Sequence, residues 1–251
     1  MNRNASGNPT HAPHRCPRRR EQRGLLARVV EPEYLDMLPS TDPGAIQSRR
    51  DLQRVNRCMG SARILTAALK NFRPRRIVEL GAGDGTLLLE LAQRLTPAWS
   101  EAELLLLDRQ ALTNLPSLRR FSEFKCRVAA EQADVHEWLS KALDASCDLM
   151  IANLFLHHFR EDELKALLVS VARVTTAFVA LEPRRDRLSL AFSHLLWAIG
   201  CNSVTRHDAA VSVRAGFRGQ ELSRCWPSGE WRLQERAAGC FSHLFVAERG
   251  T

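Results

Sequence analysis

The chain has 251 residues, 45% of them hydrophobic, and a formal charge of +8, enough for one sizeable core and a single domain with additions. No apolar run approaches the ~20 residues that span a bilayer, and the N-terminus lacks the apolar stretch of a secretory signal, so a cytoplasmic protein is expected. The seven cysteines are scattered, odd in number and never in a C-x-x-C pair, which argues against a disulfide framework or a zinc site and for reduced thiols.

The basic charge is concentrated at one end. Residues 1–24 hold six arginines against one acid, Glu21, and so account for +5 of the +8. This tail has hardly any large apolar side chains to offset its ordering entropy, and it reads as disordered. An arginine-rich transit peptide and a plain solvated extension both fit it. Residues 25–72 read as a helical cap. Asp42-Pro43 is a helix start, Ile46, Leu52, Val55 and Met59 recur at helical spacing, and Gly60-Ser61 breaks the pattern before a second helix with Ile64, Leu65, Ala68 and Leu69.

Beyond Pro74, strand-like runs at 76–80, 103–108, 125–131, 148–154 and 177–182 alternate with helical patterns at 86–95, 111–122, 135–143 and 161–173. Such alternation, with strands apolar along their length, predicts a parallel sheet covered by helices on both faces. Ligands of such sheets sit outside the carboxyl ends of the strands, so the polar residues there are the first candidates. An apolar helical stretch follows from Arg187, then a loop over 201–217, and 187–217 is a candidate substrate-facing insert.

The first strand runs into Gly81-Ala82-Gly83-Asp84-Gly85, directly after Glu79. Glycines there let backbone amides and a helix N-terminus approach a ligand, although a tight turn alone also uses glycine. The spacing is G-x-G-x-G, not the dinucleotide G-x-G-x-x-G. The second strand ends at Asp108-Arg109, and an acid there can accept hydrogen bonds from both hydroxyls of a ribose. The third is followed by Asp134-Val135, suited to an adenine or to an ordinary helix cap. The fourth carries Asn153-Leu154 at its end.

In this combination the sequence resembles the class I S-adenosylmethionine-dependent methyltransferases over roughly residues 75–183. "VELGAGDG" looks like the family's glycine motif, "LLLLD" its ribose-binding strand end, "ADV" its adenine motif and "CDLMIANLFLHHF" the segment bordering the methyl donor. The resemblance implies a doubly wound, seven-stranded, mostly parallel α/β sheet with an antiparallel last strand, the closing pair being "EWRLQERA" and "CFSHLFVAE". It implies S-adenosyl-L-methionine as cofactor. Glu79 would orient the methionine amino group, Gly81, Ala82, Gly83 and Gly85 would pass the methionyl chain, and Asp108 with Arg109 would hold the ribose. Asp134 and Val135 would take the adenine, and Asn153 and Leu154 the sulfonium end. The cap further resembles that of bacterial enzymes acting on quinone-like, phenolic or polyketide-derived molecules, so a small-molecule acceptor, methylated on O or C, is expected.

A hydroxyl acceptor needs a base, and His157 and His158 follow the fourth strand, where the transferred methyl should lie. They also fit as loop residues that pack or cap the next helix. His194 and His207 are lesser candidates. Glu182, Arg184 and Arg185 point to the same rim, where arginines could bind an acidic substrate or simply be solvated. An RNA methyltransferase is the alternative, disfavoured because the basic charge is mostly in the tail; a non-catalytic cofactor-binding protein is disfavoured by the intact glycine motif.

Overall fold

In the computed structural model, residues 27–39, 41–112, 115–144 and 146–250 are described, and the basic tail expected at 1–24 lies outside them. Strands form where the apolar runs stand: β1 (Arg76–Leu80), β2 (Glu103–Asp108), β3 (Arg127–Gln132), β4 (Leu149–Asn153) and β5 (Ala177–Pro183). β6 (Trp231–Ala238) and β7 (Ser242–Arg249) complete a seven-stranded sheet of order β3-β2-β1-β4-β5-β7-β6, in which β7 runs antiparallel to both neighbours. Strand order reverses between β1 and β4, which opens a crevice at their carboxyl ends.

The helices are α1 (Tyr34–Met37), α2 (Pro43–Met59), α3 (Ser61–Leu69), α4 (Thr86–Leu95), α5 (Leu115–Arg120), α6 (Val135–Lys141), α7 (Glu161–Val174), α8 (Arg187–His194), α9 (Ser203–Ala215) and α10 (Glu221–Cys225). On one face of the sheet Leu65, Leu88 and Leu91 pack on Ile77, Leu104 and Ile151. On the other, Leu139, Leu164 and Leu168 pack on Val78, Met150 and Phe178. A small third cluster, Val55, Leu196 and Cys201, joins α2 to the segment after α8. The start and stop of α2 follow their local chemistry. Asp42 accepts from the amides of Gly44 and Ala45 at 2.7 and 3.1 Å, and Gly60 ends the helix with φ +69°.

Two expectations change. The 201–217 loop instead contains α9, capped by Asn202, which accepts from the Thr205 amide at 2.9 Å. Its buried face mixes Thr205 and Asp208 with Ala210, Val211 and Val213, so no stripe of large apolar residues marks it. β3 is largely exposed rather than covered, because it is the sheet edge.

Candidate methyl-donor site

The strand ends gather the polar residues. Gly81, Gly83 and Gly85 all have positive φ. At Gly81 a Cβ would stand 2.4 Å from Phe155 Cδ2, so only glycine allows that ring to lie over the loop; at Gly83 nothing lies within 4 Å, so its surface is open to a ligand. The amides of Gly81 and Ala82 donate to Leu107 O at 2.9 and 3.1 Å, and Gly83 N donates to Asp108 Oδ2 at 2.8 Å. The loop is thereby locked onto the end of β2.

Three carboxylates surround it. Asp108 also accepts from Gln110 N at 2.8 Å, and Asp84 accepts from Thr86 N at 3.0 Å and Gln53 Nε2 at 2.5 Å. Glu79 is buried, and among the described residues its Oε2 has no hydrogen-bond partner; neither has Asn153 Oδ1. Burial first, then the charges of Asp84 and Asp108, push the Glu79 carboxyl well above its ordinary value. The pairing of Glu79 with Ile151 sets Glu79 and Asn153 on one sheet face, a single pleat apart. A buried carboxyl of this kind is matched by a cationic group of a ligand, which would restore its ionised form.

A cavity of about 550 Å³ opens beside the loop. Gly81, Asp108, Arg109, Asp134, Val135 and Leu154 line it, together with Phe155 and His158. Leu154 takes φ +52°, a left-handed conformation unusual for leucine, of the kind held at functional sites. Asp134 Oδ1 caps α6, accepting from His136 N at 2.8 Å and Glu137 N at 3.2 Å. A second hollow, about 420 Å³, lies at the opposite ends of the strands by Arg76, Glu103 and Arg127, away from the glycine loop and the strand-end acids.

The two histidines part company. His158, half-buried in the cavity wall, places Nδ1 3.3 Å from Asp36 Oδ2 on α1. Burial opposes ionisation of Asp36, but the hydrogen bond from His158 and the charges of His158 and Arg109 outweigh it and hold the carboxyl below its ordinary value. His157 is enclosed, with Nδ1 2.8 Å from Glu182 Oε2 and Nε2 3.3 Å from Glu33 Oε1. Burial opposes its protonation; the hydrogen bonds and charges of Glu182 and Glu33 prevail and push the imidazole up to about 9. Both of its ring nitrogens thus face carboxylates, whereas His158 lines the cavity. Glu182 further accepts from the amides of Phe155 and Leu156 at 3.0 and 2.8 Å.

These contacts also fasten the N-terminal segment over the site. Arg28 donates to Ala215 O at 2.7 Å and His157 O at 3.0 Å. Asp208 of α9 accepts from the amides of Tyr34 and Leu35 at 2.8 and 2.9 Å, and Tyr34 stacks on His207 at 3.7 Å. Glu33, His157 and His158 bring ligand-type atoms within 4.8 Å of one another. Both His157 nitrogens and Glu33 Oε1, which also takes the Ser212 hydroxyl, are already committed to hydrogen bonds. Arg185, expected as a solvated or substrate-binding rim residue, is instead buried against Gly216 O and Glu221, and Arg184 pairs with Asp186 at 2.7 Å. Asp36 and Glu33 were not legible as site residues from their sequence neighbourhood.

Residues 77–177 match the family described as "Methyltransferase domain". Residues 77–177 carry a methyltransferase domain, and the fold is that of the class I S-adenosylmethionine-dependent methyltransferases. Its cofactor is S-adenosylmethionine and it is an enzyme of methyl transfer. Among solved structures, the methyltransferase resembles the plantazolicin methyltransferase BpumL in complex with SAH, at 12% identity and TM-score 0.59 over 84% of this chain and 92% of that one. It also resembles an O-methyltransferase family protein from Burkholderia thailandensis, at 14% identity and TM-score 0.53 over 85% of this chain and 64% of that one. A putative O-methyltransferase from Nostoc punctiforme PCC 73102 matches at 13% identity and TM-score 0.51, over 81% of this chain and 60% of that one. No curated protein matches. Among the described residues no helix is long and apolar enough to cross a membrane.

Proposed function

We propose that this methyltransferase methylates a hydroxyl of a small acceptor, aromatic or polyketide-derived, with His158 as general base. The observation that carries the reading is the Asp36–His158 pair, set in the wall of the same cavity as Asp108 and Asp134. Glu79 takes the donor's ammonium group, a role that its unpartnered buried oxygen fits. Gly81, Ala82, Gly83 and Gly85 flank the methionyl chain. Asp108 uses one lone pair of each oxygen on Gly83 and Gln110, which leaves the others for the ribose hydroxyls, with Arg109 alongside. Asp134 and Val135 receive the adenine, and Asn153 and Leu154 border the sulfonium.

S-adenosylmethionine supplies an already electrophilic methyl group when bound. The protein's work is then to align the acceptor oxygen and to take its proton. His158 accepts that proton, and the ionised Asp36 at Nδ1 orients the ring and stabilises the imidazolium that forms. BpumL, whose structures hold a desmethylPZN analog together with SAH, supports a small acceptor by likeness of fold.

Titration calorimetry with SAH tests the donor site. Asp108→Ala should weaken binding about tenfold to a hundredfold, the cost of one to two hydrogen bonds to a charged acceptor. Unchanged affinity in a folded variant would remove Asp108 from the ribose site. Product mass spectrometry with phenolic, polyketide and RNA acceptors tests the acceptor class: methylation of RNA alone would overturn the small-molecule reading.

A further inference from the structure

We infer that the side-chain oxygen of Asn153 is a second acceptor for the donor's ammonium group and that Asn56 of α2 is the positioning residue that aims it, which rests on the reading of Glu79 above. Asn153 Oδ1 and Glu79 Oε2 are both buried acceptors, and among the described residues neither has a hydrogen-bond partner. They stand on one face of neighbouring parallel strands, since Glu79 pairs with Ile151 and Asn153 follows two residues on. Besides burial, what acts on the Glu79 carboxyl is the charge of Asp84 and Asp108, so acceptors and negative charge crowd this place. Two buried acceptors left bare cost free energy, and one donor group between them recovers it. An ammonium fits both needs: it is cationic, and its three N–H donors serve both oxygens with one to spare.

A carboxamide can face a cation with its oxygen or with its NH2 group, and only the oxygen attracts it. The neighbours of Asn153 decide which. The Ser61 hydroxyl donates to Asn56 Oδ1 at 3.0 Å, and the Asn153 Nδ2 group donates to the same oxygen at 3.4 Å. With its NH2 group held by Asn56, Asn153 presents Oδ1 on the other side. Ser61 is buried at the start of α3, which anchors this relay where the chain leaves α2. The rest of α2 reaches the donor site in the same way. Arg49, Gln53 and Asn56 recur at helical spacing on one face, from which Arg49 donates to Gln110 Oε1 at 3.0 Å and Gln53 to Asp84 Oδ2 at 2.5 Å. One helix of the cap thus sets polar groups against the ends of β1, β2 and β4.

The experiment is titration calorimetry of the full chain with two ligands, SAH and its deamino analogue, in which hydrogen replaces the amino group. The ratio of the two affinities reads the ammonium contacts alone. Wild type should favour SAH by about a hundredfold, and Asn153→Ala should shrink that ratio by about tenfold, as for a lost hydrogen bond to a charged group. Asn56→Ala should shrink it by about threefold to tenfold, because the carboxamide is then free to turn. Asn56→Asp keeps an acceptor facing Nδ2 and should retain the wild-type ratio or exceed it. Each variant should bind the deamino analogue within about twofold of wild type, which shows that the donor site is folded. A wild-type ratio in Asn153→Ala overturns the proposal. A wild-type ratio in Asn56→Ala, or an equal loss in Asn56→Asp, overturns the positioning role. Glu79→Gln separates this proposal from the reading beneath it. If Glu79→Gln keeps the full ratio, the ammonium does not bind here and both fall; if it loses the ratio while Asn153→Ala keeps it, only the second acceptor falls. Should Asn153→Ala fail to fold, the two Asn56 variants carry the same test.

Discussion

Glu182→Gln is expected to destabilise the protein by about 3–5 kcal/mol, the cost of stranding one member of a buried ion network. Glu182 is fully buried, receives the amides of Phe155 and Leu156, and is a counter-ion of His157. Glutamine keeps the shape but presents an NH2 group to donors and removes the charge that faces the imidazolium. For a chain of this length each kcal/mol moves the melting temperature by about 2–4 °C, so a fall of roughly 10 °C is expected. The pH dependence identifies the cause. His157 is raised from 6.5 to about 9, so its contribution is complete below 6.5 and fades as pH climbs through 9. Glu33 is depressed below 4.5, because the hydrogen bond and charge of His157 outweigh the burial that opposes its ionisation; its contribution is present above 4.5 and fades as the solution becomes acid. The gap between wild type and variant should therefore be widest near pH 6 and narrow by pH 10. A gap that does not change across that range would mean the loss is packing alone.

The parallel strands and the glycine loop were legible because their signals are local. β1, β2 and α4 have the limits their apolar runs and loop imply, and the acids at the strand ends sit where the alternation places them. The loop geometry explains why glycine recurs at every second position: positive φ at all three, and at Gly81 a phenyl ring against the missing Cβ. The rest was hidden for a common reason. Asp36 meets His158 and Glu33 meets His157 across more than a hundred residues, through a segment whose own pattern shows only a short helix. α9 holds that segment with Asp208, and its buried polar residues disguised it as a loop. Two adjacent histidines of one sequence motif consequently differ in placement: one turns toward the cavity, the other into a pair of carboxylates. Nothing in "FLHHF" itself distinguishes them.

Turnover of His158→Ala should fall by about 10²–10⁴, the range for losing a positioned general base, with SAH affinity unchanged. The expectation follows from placement: His158 lines the cavity and its Nδ1 faces Asp36, so that Nε2 would be the nitrogen to meet an acceptor hydroxyl. Asp36→Asn tests the positioning half of the pair. It keeps a hydrogen-bonding group near Nδ1 but removes the charge that stabilises the imidazolium, so a smaller loss is expected, up to about a hundredfold, as for a displaced catalytic group. His157→Ala provides the contrast, because its effect should appear in melting temperature. The measurements are initial rates across pH for the three variants on a verified acceptor. If His158→Ala keeps more than about a tenth of wild-type turnover at every pH, alignment alone carries the transfer and the histidine is not the base. An acceptor with an already ionised phenol gives the same distinction from the other side: it needs no proton removed, so His158→Ala should hardly slow it.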